Sequence, residues 1–331
     1  MMKKCPNCTS LMPLDTARCL RCGFDSPAKM SAAAGGGALV APAPAAVKKG
    51  RFATGWALAR ESLRVLRADK QLLLFPLLSG IASILVIASF AGVLWASGLA
   101  DEKQPMSDLT AWALVFVFYF VNYFVIVFFN AALVGCAMKR FRGGAPSFAS
   151  GLRKARRRLG KIVAWALFAA SVGVILRFIA ERVGFVGRMV IALLGAAWTV
   201  ATYFVVPVVV MEKLGPLDAV RRSASIVKKA WGESLVSHAG VGLVTFVMSV
   251  LLIVPLAIAA IMLADQTQSI AVLIAGLGAV LVVIVLAALI GSALNSIALC
   301  ALYLYATEGK VPQAFANTGL QYAFATKQKK K

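Results

Sequence analysis

Six apolar stretches limit what this 331-residue chain can fold into. The second reads "AWALVFVFYFVNYFVIVFFNAALVGCAM", residues 111–138, without a single charged side chain. About 18 such residues suffice for a helix to cross a bilayer. The stretches run approximately over 72–99, 111–138, 161–181, 187–211, 235–264 and 270–306. Inside lipid every backbone N–H and C=O needs a partner from the protein, which favours helices for runs of this length. The expected fold class is therefore an all-α polytopic membrane protein with six transmembrane helices. Hydrophobic residues at 60% and charged residues at 15% lie outside the globular norm and agree with it.

Charge orients the spans. Of 35 Lys+Arg, 31 fall in the segment before the first span, the loops 139–161 and 212–234, and the C-terminal tail. Only Lys103, Arg177, Arg182 and Arg188 fall on the alternate side. Basic loops stay in the cytoplasm, so both termini are expected there. A net charge of +22 would suggest nucleic acid in a soluble protein; here anionic lipid headgroups are the expected partner. The basic run holding Arg153, Lys154, Arg156, Arg157 and Arg158 is the candidate lipid-surface contact. Residues 1–29 lack the apolar core of a signal peptide, so the first span is expected to serve as the targeting element.

Five regions follow: a cysteine module over 1–28, an Ala/Gly/Pro linker over 29–50, an amphipathic juxtamembrane helix over 51–71, the six-helix domain over 72–327 and a basic tail over 328–331. The linker has coil-like composition and a reach of about 25 Å, so the module is expected to move freely. In the juxtamembrane segment Phe52, Trp56, Ala59, Leu63 and Leu66 share helical spacing. Such a helix either lies among headgroups or packs on the bundle.

The same spacing recurs at Phe148, Leu152, Ala155 and Leu159, at Val220, Ala224, Val227 and Trp231, and at Phe315, Gly319 and Tyr322. Before these three stripes stand Gly144/Pro146, Gly215/Pro216 and Gly309/Pro312. Gly is expected to release each preceding span and Pro to open the next helix. The unit is a surface helix followed by a two-span hairpin, the second hairpin turning at "ERVGFVGR".

"KKCPNCTSLMPLDTARCLRCGFD" carries Cys5, Cys8, Cys19 and Cys22. Two such pairs, each split by two residues, can close a tetrahedral four-thiolate site of zinc-ribbon type. In so small a module the metal would supply the folding energy, roughly 10–16 kcal/mol. Zn2+ in a structural role is the expected cofactor, with iron and disulfides as rivals; a cytoplasmic location argues against disulfides. A closed site leaves no open coordination position, and docking of a cytoplasmic protein is the expected role. Phe24 is its only aromatic, which speaks against nucleic acid.

The segments "LRVLRADKQLLLFPLLSG" (63–80), "NAALVGCAMKRFRGG" (130–144), "VVPVVVMEKLGPLDAVRRS" (205–223) and "ALYLYATEGKVPQAF" (301–315) carry a resemblance. They resemble an uncharacterised family of bacterial six-helix integral membrane proteins, related in layout to the membrane domain beside glycerophosphodiester phosphodiesterases. The resemblance implies the bacterial cytoplasmic membrane and no assigned chemistry.

Polar residues at membrane depth are few. Asn130 and Asn295 are the candidates for an interhelical contact, Arg177 and Glu181 form an i, i+4 pair, and Cys136 and Cys300 read as packing residues. His238 is the sole histidine and no carboxylate pair lies within a span, so no enzyme is expected. The expected function is a non-enzymatic membrane scaffold or regulator; a small-solute or lipid transporter is the alternative.

Overall fold

Stop signals in the sequence set most helix ends. The computed structural model describes residues 51–97, 108–230 and 234–316, with the short strands Met2–Lys4, Leu11–Pro13 and Leu39–Val40. Cys5, Cys8, Cys19 and Cys22 lie outside the described residues, as do Trp231 and everything after 316.

The juxtamembrane helix is α1 (Arg51–Ala68), followed by a 3-10 turn at Lys70–Leu73. The first hairpin is α2 (Leu74–Ala96) with α3 (Asp108–Phe141), and α4 (Phe148–Arg156) is a short surface helix. The second hairpin is α5 (Leu159–Arg182) with α6 (Phe185–Ala201), continued by α7 (Val205–Glu212). A second surface helix, α8 (Pro216–Ala230), precedes α9 (Ser234–Thr267) and α10 (Ile270–Glu308). Six segments are long and apolar enough to cross a membrane: Lys70–Ala96, Leu109–Phe141, Leu159–Arg182, Phe185–Glu212, Thr245–Thr267 and Ile270–Glu308. The expected spans match these to within a few residues, the fifth counted over α9 (Ser234–Thr267) as a whole.

The fourth span is broken. Pro207 has no N–H to offer the carbonyl four residues back, and the helix gives way at Thr202–Phe204. The sixth span, at 39 residues, would extend about 58 Å, well beyond a 30 Å hydrocarbon layer.

Two of the three helix ends depart from the expected glycines. α3 closes in a Schellman motif on Gly143 (φ 83°), with Gly144 N–H bonded to Lys139 C=O and Gly143 N–H to Arg140 C=O. α7 ends on Lys213 (φ 63°), one of the few non-glycine residues in left-handed geometry, rather than on Gly215. Gly309 (φ 65°) does release α10, as expected. Pro216 opens α8, whereas Ser147 caps α4 through a capping box with Ser150. At the third repeat Pro312 sits in a strand and precedes a 3-10 turn at Gln313–Phe315; Gly319 and Tyr322 of the expected stripe lie outside the described residues.

Leu39–Val40 pairs antiparallel with Val311–Pro312, and Met2–Lys4 pairs with Leu11–Pro13. The first pairing sets Leu39–Val40 beside the turn after α10.

The core sits at one end. The most apolar window of each span is only 0–22% buried, so lipid would face most of every span. Buried side chains gather instead where α1, α4 and α8 meet the span ends: Leu58, Phe75, Phe141, Ile162, Trp165, Ile226, Ile297 and Phe315. Physics favours that location. In lipid an apolar side chain has no water to escape, whereas at a membrane surface each buried Phe or Leu contributes roughly 1.5–3 kcal/mol.

α1 packs on this end rather than projecting its stripe outward. Leu58, Ala59, Ser62, Val65 and Leu66 are buried, while Trp56 is 48% exposed. α8 likewise buries Ala219, Ser223 and Ile226, each one residue before the expected Val220, Ala224 and Val227, together with Val227 itself. On α4 Gly151 and Ala155 are buried, while Leu159, the first residue of α5, is exposed.

Candidate functional site at the basic end

The end that holds the core also holds most of the charge. Residues 139–161 carry nine Lys/Arg and no carboxylate. Arg140 lies 3.2 Å from Asp69 and Arg142 lies 2.8 Å from Glu308. The Asp69 contact is an ion pair without an aligned hydrogen bond, since its Oδ2 meets no hydrogen-bond donor geometry. Among the described residues the other seven cations take part in no ion pair.

α4 is clamped onto α3 at close range. A Cβ at Gly151 would lie 2.6 Å from Cys136 Sγ, 2.7 Å from Phe75 Cζ and 2.8 Å from Ala132 O, so only glycine fits. Phe148 stacks on Phe75 at 5.0 Å, and Gln71 Oε1 accepts the Phe148 N–H at 3.0 Å. Cys136 is buried here as a packing group and donates to Ser147 C=O at 3.3 Å.

This clamp sorts the five basic residues of α4 and its C-terminal turn. Arg153, Arg156 and Arg157 are exposed. Lys154 and Arg158, one helical turn apart, are half-buried and face the bundle. The Lys154 stem lies on Gly135 of α3, and Arg158 Nε donates to Val210 C=O at 3.3 Å. Burial, then the charges of Arg158, Arg142, Lys213 and Arg157, push the Lys154 ammonium below the ordinary lysine value.

Next to it, α7, α8 and α10 are tied by Glu212. Its carboxylate accepts Arg222 Nε at 2.9 and 3.1 Å and Tyr303 Oη at 2.8 Å. Ser223 Oγ, fully buried, accepts the Phe204 N–H at 2.9 Å and so pairs the donor freed by the break in the fourth span. Neither tie was singled out from the sequence; Glu212 at the end of an apolar run was the available signal.

Within the spans, Asn130 meets Ser296, whose Oγ donates to Asn130 Oδ1 at 3.1 Å. Asn295 is exposed and takes no part, because the next residue of α10 faces the contact. At the opposite end Arg177 donates to Glu181 at 3.1 Å and to Tyr119 Oη at 2.9 Å. It borders an apolar groove of about 420 Å³ lined by Phe90, Leu94, Leu114 and Phe118. Among the described residues no group of three or more His, Cys, Asp or Glu is placed to hold a metal.

Six apolar helices capped at one end by basic surface helices define a multi-pass α-helical membrane protein. The chain belongs to the family of unknown function DUF6159, which it matches over residues 109–313. That match runs from α3 to the turn after α10 and leaves α1 and α2 outside. No curated protein matches it.

Proposed function

We propose that the chain is a non-enzymatic membrane scaffold or regulator of the bacterial cytoplasmic membrane, its basic end facing the cytoplasm. The exposed face of α4 engages anionic lipid headgroups, and a Zn2+-bound ribbon on Cys5, Cys8, Cys19 and Cys22 docks a cytoplasmic protein. The observation that carries this reading is the charge at one end of the bundle. Arg153, Arg156 and Arg157 stand exposed there without ion pairs among the described residues, each adding about 1 kcal/mol of attraction to an anionic surface. The antiparallel pairing of Met2–Lys4 with Leu11–Pro13, the segments that flank Cys5 and Cys8 in sequence, supports the ribbon. The pairing of Leu39–Val40 with Val311–Pro312 would keep that module beside the same end.

Transport has the broken fourth span in its favour. That break is filled rather than open: Phe204 is buried and its N–H is already paired with Ser223.

Reconstitution of the full chain in nanodiscs of mixed zwitterionic and anionic lipid tests the surface contact. Anionic enrichment around the protein should fall in Arg153→Gln/Arg156→Gln/Arg157→Gln and in high salt; unchanged enrichment refutes it. For the ribbon, one zinc per chain and a crosslinked partner should both be lost in Cys5→Ser/Cys8→Ser. A partner that survives loss of the metal refutes docking through the ribbon.

A further inference from the structure

Lys154 and Arg158 do not behave as members of a diffuse basic surface. Each is pinned by a different element: Lys154 by Gly135 on α3, and Arg158 by the Val210 carbonyl on α7. The charges of Arg142, just past the end of α3, and of Lys213, just past the end of α7, also act on Lys154. Lys213 holds left-handed backbone (φ 63°), which a non-glycine residue adopts only where its surroundings hold it. Its neighbour Glu212 is bound by Arg222 and Tyr303, so the turn that carries Lys213 is fixed.

The result is four cations from three elements with one carboxylate among them. Glu308 pairs with Arg142, and among the described residues Lys154, Arg158 and Lys213 have no ion-pair partner. Gathering like charges is unfavourable unless a counter-charge sits between them. Nε of Arg158 is occupied, but its two terminal nitrogens remain to donate in one plane. An ammonium beside such a fork matches the oxygens of a phosphate. Because the stems are held before any ligand arrives, less ordering cost remains for binding.

We propose that Lys154 and Arg158, completed by Arg142 and Lys213, form a seat for a single phosphate group at the basic end of the bundle. The seat is separate from the outward face of Arg153, Arg156 and Arg157. It rests on the proposed lipid-facing role only for the source of the phosphate, which is a phospholipid headgroup or the free ion. A net-anionic headgroup fits better than phosphatidylcholine, whose trimethylammonium group the cluster repels.

The test uses the full chain in phosphatidylcholine nanodiscs doped with phosphatidic acid or phosphatidylglycerol. Native mass spectrometry reads which lipid stays bound through delipidation. One anionic phospholipid should be retained by the wild type. In Lys154→Met/Arg158→Gln retention should weaken roughly tenfold or more per cation removed. Lys154→Arg preserves the charge and should keep the lipid, which also guards against a folding defect. Arg153→Gln/Arg156→Gln/Arg157→Gln should lower general anionic enrichment while the single lipid remains, so failure of the surface role and of the seat can be told apart. In a parallel arm without anionic lipid, inorganic phosphate is added. A thermal shift in the wild type that is absent from Lys154→Met/Arg158→Gln assigns the seat to free phosphate. Equal retention and equal shifts in wild type and Lys154→Met/Arg158→Gln overturn the proposal. So does loss of the bound lipid in the outward-face triple variant.

Discussion

The hydroxyl of Ser223 on α8 accepts the backbone N–H of Phe204 at 2.9 Å, in the middle of the break between α6 and α7. Both residues are buried, so water cannot stand in for either. Ser223→Ala should destabilise the protein by about 1–3 kcal/mol, since it strands a buried donor. Unfolding in detergent micelles measures this. Ser171→Ala, which removes only a bond back to Leu167 C=O in the same helix, should fall within roughly 0.5 kcal/mol of wild type.

Ser296 and Asn295 are adjacent in sequence and opposite in consequence. Ser296→Ala breaks the 3.1 Å bond to Asn130 and should cost about 0.6–2 kcal/mol. Asn295→Ala should be nearly silent in the same assay, because Asn295 is exposed on α10.

At Gly151 a single methyl meets Cys136, Phe75 and the Ala132 carbonyl, each closer than 3.0 Å. Gly151→Ala should therefore lower the unfolding midpoint by the equivalent of about 1–3 kcal/mol. Gly173→Ala, where nothing lies within 4 Å, should be neutral or stabilising by up to about 1 kcal/mol, as helix propensity requires.

Lys154 sits below the ordinary lysine value when folded, because burial and four neighbouring cations oppose its charge. A base with a lowered folded value costs stability wherever it is protonated, and the cost disappears above its unfolded value near pH 10.4. Lys154→Met keeps the stem on Gly135 and removes the charge. Its melting temperature should exceed that of wild type near neutral pH in phosphate-free zwitterionic lipid. The gap should shrink as pH rises through the lysine range. A constant gap would mean that packing, not charge, sets the difference.

What the sequence determined is the number of spans, their places and the basic character of one end. Those follow from long apolar runs and clustered Lys/Arg, which need no knowledge of neighbours. The proposed metal site on Cys5, Cys8, Cys19 and Cys22 rests on spacing alone, and those residues lie outside the described ones. Faces of the surface helices were harder. The stripes on α1 and α8 included the buried Ala59, Leu66 and Val227 but passed over Ser62, Ala219 and Ser223, which are buried beside them. Close packing against span ends favours small side chains there, and polar ones where a backbone group needs a partner.

Only the tertiary structure decided which cations turn inward. Lys154 and Arg158 share a run with Arg153, Arg156 and Arg157, and no local property separates them. Gly135 and the Val210 carbonyl do, and both come from other helices. The break at Phe204 has the same logic: Pro207 starts it locally, but a hydroxyl 19 residues further along makes it affordable to bury. Apolar periodicity records how a segment meets solvent or lipid; which distant donor, acceptor or gap it meets is settled by packing.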